Sequence, residues 1–299
     1  GRCLRSTGPD GVLAYTYDYD TENRVTTATD SLGHRRTFRM NEALQVVAET
    51  DPLGHTTHST WDRRDQLLSR TDPLGHTYTY TYDGDGNVVR ITRPDGTTAT
   101  AVYNELGLPV EISDPTGARW QCEYDERGNT IRVTDPTGAT TLRTYDEHGR
   151  LTGMTDALGR SIRIEPDAAG LPVAVTDPLG GTTRYVRDAA GRATVLTDPA
   201  GGVMRLAWTP EGRPTMCVRP DGSTEHWSWD GEGNLVAYRD PAGRTSRYEY
   251  THFDQISAQT GPDGTRYEFG YDTELRLTSV TNAQGLTWTY VYDAAGRLI

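Results

Sequence analysis

The chain has 299 residues, a formal net charge of −12 and an isoelectric point near 5.0, a balance that argues against nucleic-acid and anionic membrane surfaces, which attract basic faces. No apolar run approaches the ~18 residues that a membrane-spanning helix needs. All 30 basic residues are arginine, which reads as GC-rich codon usage and not as avoidance of amine chemistry.

Taken in chain order, the sequence opens in mid-repeat at Gly1-Arg2 and closes on the equivalent Gly296-Arg297, the pattern of a fragment of a longer protein. The first turn, Gly8-Pro9-Asp10-Gly11, lies one residue out of register with Tyr19, so Gly1 to Asp18 is expected to be the loosest stretch. From there, thirteen glycines recur every 21 residues: Gly33, Gly54, Gly75, Gly96, Gly117, Gly138, Gly159, Gly180, Gly201, Gly222, Gly243, Gly264 and Gly285. A fixed period of this length marks a repeat architecture. We therefore expect residues 1–299 to form a single array of about 14 units, against the length-based prior of about two domains.

Each unit carries two turn motifs. One is Asp-Pro-x-Gly, as in Asp51-Pro52-Leu53-Gly54, where Asp caps backbone N–H groups, Pro presets φ and Gly closes a type I turn. The other runs Tyr124-Asp125-Glu126-Arg127-Gly128-Asn129, and its Gly register steps from Asn23 to Gly296. Between the turns lie short runs rich in Thr, Val, Ile and Tyr, which predict two strands per unit and a long antiparallel meander.

Apolar residues fall three and five places after the second motif's glycine, as Val89 and Ile91, Val110 and Ile112, Ile131 and Val133, and Val173 and Val175. Aromatics fall on the motif Tyr and two and four before it, as Tyr78, Tyr80 and Tyr82, or Trp288, Tyr290 and Tyr292. A plain two-residue hairpin sets these groups on opposite faces. A type I turn followed by a left-handed glycine bulge is expected to bring them together. The repeat aromatics are then Tyr19, Trp61, Tyr82, Tyr103, Tyr124, Tyr145, Trp208, Trp229, Tyr250, Tyr271 and Tyr292. Thr79, Thr81, Arg247 and Glu249 fall on the other face. Some 28 strands at ~4.8 Å make a ribbon on the order of 130 Å long, which strand twist will coil.

These motifs resemble the YD-repeat, or Rhs, family, whose signature Tyr-Asp-x-x-Gly-Arg-Leu is met in full by Tyr145–Leu151 and Tyr292–Leu298. The resemblance runs from end to end of the chain. Leu44, Asp65, Asp254 and Leu275 replace the motif Gly, and Met40, Pro166 and Arg187 replace the Tyr. The resemblance implies an all-β ribbon that spirals into a hollow cocoon. Relatives include Rhs polymorphic toxins, insecticidal toxin complexes, wall-associated proteins and teneurins, and in the toxins the shell encloses a C-terminal effector. It therefore implies a structural shell segment in a secreted or cell-surface protein. Its partners would be the remaining repeats, a core segment and an enclosed effector. The family's aspartyl-autoproteolytic core segment is expected beyond Ile299, and no catalytic residue is carried over onto this chain. The alternative function is a recognition surface that binds glycans or a cell-surface protein through aromatic and Arg ladders. Exposed rings at Trp61, Trp208 and Trp229 would favour it.

Other candidate sites read as parts of the repeat. Asp83-Gly84-Asp85-Gly86-Asn87 and Asp230-Gly231-Glu232-Gly233-Asn234 look like calcium loops, but Val88 and Leu235 stand where an EF-hand needs Gly. His34, His55 and His76 share one register ~9–10 Å apart, too far to share a zinc ion. Cys3, Cys122 and Cys217 occupy three different repeat positions, with neither a disulfide framework nor zinc spacing, and read as packing residues. No acid–base pair, nucleophile elbow or phosphate loop stands out, so neither enzyme activity nor a metal or cofactor is expected.

Overall fold

A computed structural model describes all of residues 1–299 as one continuous sheet of 28 strands, from β1 (Arg5–Ser6) to β28 (Thr287–Thr289). Every strand pairs antiparallel with its sequence neighbours, so the chain is an unbroken meander; β8 (Thr77–Tyr82), β9 (Val88–Thr92) and β10 (Thr98–Tyr103) show the pattern. Six-residue strands, most ending on the motif aromatic, alternate with five-residue strands, most ending on Thr, as in β12 (Arg119–Tyr124) and β13 (Thr130–Thr134). The only helical piece is a three-residue 3-10 turn at Pro9–Gly11.

Both turn types share one geometry. In the Asp-Pro-x-Gly turn the Gly54 N–H donates to the Asp51 carbonyl at 3.0 Å, and the Asp51 N–H donates to the His55 carbonyl at 2.9 Å. In the Tyr-Asp turn Gly128 and Asp125, then Asp125 and Asn129, repeat both bonds at 3.0 Å. This is a type I turn closed by a left-handed residue. The thirteen periodic glycines all lie at φ between +78° and +88°, where a Cβ would be strained. Where the sequence departs from Gly, the backbone keeps the same shape: Leu44, Asp65, Asp254 and Leu275 sit at φ +64°, +62°, +58° and +59°. The first Tyr-Asp loop differs. β2 (Tyr15–Asp20) and β3 (Val25–Thr29) pair without a register shift, and the left-handed residue is Arg24, not Asn23.

The wall is one sheet thick. Only five of 299 residues are buried, among them Ala48, Ala174, Cys217 and Ala258. Gly153, Ala48, Ala174 and Ala258 share one register at mid-strand, each flanked by longer side chains on both neighbouring strands, such as Glu165 and Arg184 beside Ala174. Cooperative burial of a central core therefore contributes little, and stability must come from each strand pair and its turn.

The ribbon also returns to itself. The Leu13 N–H donates to the Thr273 carbonyl at 2.8 Å, and the Tyr15 hydroxyl donates to Glu274 at 3.1 Å. In a strictly sequential meander this requires the sheet to curl through a full turn. Residues 8–15, expected to be loose, thus lie at this seam, where a Cβ on Gly8 would come within 3.2 Å of the edge of the Phe253 ring.

Candidate functional site: the bulge-and-tyrosine ladder

The repeated turn is a closed carboxylate cage. In Asp125 one oxygen, Oδ1, accepts from the Arg127 N–H at 3.0 Å and the Asn129 N–H at 2.8 Å, while Oδ2 accepts from Asn129 Nδ2 at 2.8 Å. In every such turn the residue after Gly can give its backbone N–H, as Ala118 and Leu171 do, and in many it adds a side-chain donor. Asn87 and Asn234 do the same, as do the arginines of the Gly-Arg motif: Arg192 Nε reaches Asp188 at 2.8 Å, and Arg276 Nε reaches Asp272 at 2.8 Å. His34, His55 and His76 also occupy this place, with Nδ1 at 3.2, 3.1 and 2.9 Å from Asp30, Asp51 and Asp72. Each His belongs to its own turn. The loops at Asp83 and Asp230 likewise direct their carboxylates at their own Asn and backbone N–H groups. No group of three or more His, Cys, Asp or Glu is arranged to hold a metal ion.

These bonds set the charge state of the turns. The Asn129 side chain, then its backbone N–H, hold the Asp125 carboxyl below the usual carboxylate range. Asp83 is lowered first by Asn87, Asp156 first by the Arg160 side chain, and Asp146 first by the Arg150 backbone N–H.

Face alignment uses a second irregularity that the glycine alone does not provide. With only the turn bulge, Tyr80 would pair with Arg90. The observed partner is Ile91, because the register shifts between Thr81 and Tyr82 and inserts an extra residue at Val88–Val89. The same shift recurs at Tyr103, Tyr124 and Tyr145. Tyr80 and Ile91 therefore share a face, as expected, but across the Tyr-Asp turn this takes two bulges, whereas across the other turn, at Gly96, the glycine bulge alone sets Ile91 opposite Ala99.

The second bulge explains the aromatic position. Pairing between β13 and β14 (Thr140–Tyr145) stops at Arg132 and Leu142, two residues short of Thr130. The Tyr145 hydroxyl closes that gap by donating to the Thr130 carbonyl at 2.9 Å. Tyr82, Tyr103, Tyr124, Tyr250, Tyr271 and Tyr292 repeat this bond at 2.8–3.1 Å, each to the carbonyl 15 residues earlier. Trp61, Trp208 and Trp229 substitute an indole N–H at 2.9, 2.8 and 2.7 Å. Even Arg187, a departure from the motif, donates Nε and Nη2 to the Pro172 carbonyl. Tyr19 is the variant at the array's start, bonded to the Cys3 carbonyl. Thus the position selects a long side chain with a terminal donor, which Met40 and Pro166 lack. Periodicity revealed the residues but not their partners; the scarcity of Phe beside 17 Tyr was the signal for a required donor.

Compared with known families, residues 5–197 match the model described as Teneurin YD-shell. The chain belongs to the teneurin YD-shell family. The RHS Repeat model matches residues 229–266 and 271–299 of this YD-shell chain. No curated protein matches it. Among solved structures it is similar to the crystal structure of TcdB2-TccC3-TEV, with 12% identity and a TM-score of 0.52 over 100% of this chain and 22% of that one. The Photorhabdus luminescens Tc holotoxin pore aligns with 13% identity and a TM-score of 0.46, over 100% and 22% of the two chains. The YD-shell chain thus spans about a fifth of the length of these neighbours, and the first of them supports the all-β ribbon fold alone.

Proposed function

We propose that this YD-shell chain is a wall segment that, with further repeats and a core segment, encloses a C-terminal effector of an exported toxin-like protein. One observation carries the reading: a sheet a single layer thick, with five buried residues, closes on itself through the Tyr15–Glu274 contact. Such a wall works by excluding proteases and solvent, and it needs continuity more than any single reactive group. We read the chain as having no catalytic role, since its repeated Asp carboxylates bind their own turns and its strand Glu residues, such as Glu225 and Glu249, pair with Arg. The likeness to TcdB2-TccC3-TEV is one of fold, and that fold is consistent with this role.

The glycan-binding alternative is weaker. Trp61, Trp208 and Trp229 are half-buried and commit their indole N–H groups to the wall, leaving less ring face for a sugar. No helix is long and apolar enough to cross a membrane. The test is limited proteolysis of the array expressed together with whatever its reading frame encodes after Ile299. A downstream domain that resists protease only while the array is intact supports enclosure. Equal digestion with the array intact or disrupted overturns it.

A further inference from the structure

The seam brings together two different rims of the ribbon. One rim carries the Asp-Pro-x-Gly turns and the other the Tyr-Asp turns. At Ser31 and Glu274 they meet 243 residues apart, between eleven and twelve repeats along the chain. The Ser31 N–H donates to Glu274 Oε1 at 3.0 Å, and Ser31 Oγ lies 2.5 Å from the same oxygen and 2.7 Å from Thr273 Oγ1. Glu274 Oε2 accepts from the Tyr15 hydroxyl at 3.1 Å, so both carboxylate oxygens are engaged by the other rim.

The sequence at this contact breaks the repeat. Ten of the thirteen Asp-Pro-x-Gly turns carry Pro at the second corner, and only Ser31, Ala157 and Ala283 do not. Proline has no N–H to give, and neither proline nor alanine has a hydroxyl. Ser31 is therefore the one turn that offers both donors, and it is the turn that meets Glu274. One repeat further on, Pro52 lines the same cleft as Ala294 and Ala295, where neither side chain can donate or accept. One repeat back, the opposing residue is Phe253, which meets Gly8.

We infer that Ser31 and Glu274 form a sequence-specified clasp between the two rims, which sets the number of repeats in one turn of the coil. The partner surface is the chain's own opposite rim. A slip of one repeat would set Glu274 against Pro52, leaving its carboxylate without the Ser31 donors. The clasp holds whether or not the wall encloses a cargo.

The test uses the whole chain with Cys3, Cys122 and Cys217 replaced by Ala and a reporter pair, Pro52→Cys with Ala295→Cys, on the two sides of the seam. Oxidative cross-linking, mapped by peptide mass spectrometry, is compared with and without Ser31→Pro, Ser31→Ala and Glu274→Ala. Proline is already present at this corner in ten other turns, so Ser31→Pro leaves the hairpin intact, and circular dichroism checks it. We expect the parent to cross-link, Ser31→Pro and Glu274→Ala to cut the yield about tenfold, and Ser31→Ala to fall between. Equal yields in all four, or no cross-link in the parent, would overturn the clasp.

Discussion

The Tyr145 hydroxyl stands 2.9 Å from the Thr130 carbonyl, where the backbone ladder between their two strands has already ended. One side chain thereby replaces a missing main-chain bond, and the replacement recurs along the sheet. Each such bond joins a repeat to its predecessor, so the ladder is a nearest-neighbour coupling of the kind that governs the stability of linear arrays.

Substitution at this position should obey donor chemistry and not hydrophobicity. Tyr145→Phe keeps the ring and removes the donor, and should destabilise the array by about 1 kcal/mol. Tyr145→Trp, which copies Trp61 and Trp208, should retain most of the stability. Urea unfolding of the two variants beside the parent checks this, and equal loss in both would show that the ring matters and the hydrogen bond does not.

At the turns the direction of change depends on which residue now holds the left-handed position. Gly138 lies at φ +85° with open space where a Cβ would stand, so Gly138→Ala suffers backbone strain of about 1 kcal/mol without a steric clash. Leu44 and Asp65 already bear that strain at +64° and +62°, and Leu44→Gly should stabilise by a few tenths to about 1 kcal/mol. Thermal unfolding with opposite shifts for the two substitutions would confirm the turn geometry.

Acid should loosen many units together. The folded carboxyls of Asp83, Asp125, Asp146 and Asp156 titrate below their ordinary values, which means that the unfolded chain binds protons first as pH falls. Their contribution is therefore complete above the ordinary carboxylate range near pH 4 and is lost as pH drops through the lowered folded values. Circular dichroism between pH 5 and 2 should show stability falling across that window. Asp125→Asn should flatten the local response, measured by hydrogen exchange at Asn129.

The ladder has a gap where Pro166 replaces the motif Tyr, since proline offers no donor to the Leu151 carbonyl. Amides of β15 (Leu151–Thr155) and β16 (Ser161–Pro166) should exchange faster than those of β12 to β14. Pro166→Tyr should slow them. Uniform protection along the array would show that the aromatic bond is not what couples the repeats.

Much of this fold was legible because each turn is specified within five residues. Asp51, Pro52 and Gly54 state their geometry locally, and so does the donor after the glycine. The second bulge at Val88–Val89 was not legible. It depends on how Tyr103, in the next unit, reaches the Val88 carbonyl, and no local propensity encodes that reach. The seam was hidden for a stronger reason, since Ser31 and Glu274 are separated by most of the chain. Its trace was a single irregularity, a serine where the repeat calls for proline.

A wall built of sequential hairpins has a consequence for how it is made. Nearly every contact joins strands that are adjacent in sequence, so each hairpin can form as soon as its own residues leave a ribosome or an export channel. Closure alone must wait, because Leu13 and Tyr15 need a partner made more than 250 residues later. Assembly then has two stages with different chemistry: rapid local zippering, followed by one slow search in which the leading rim finds its mate.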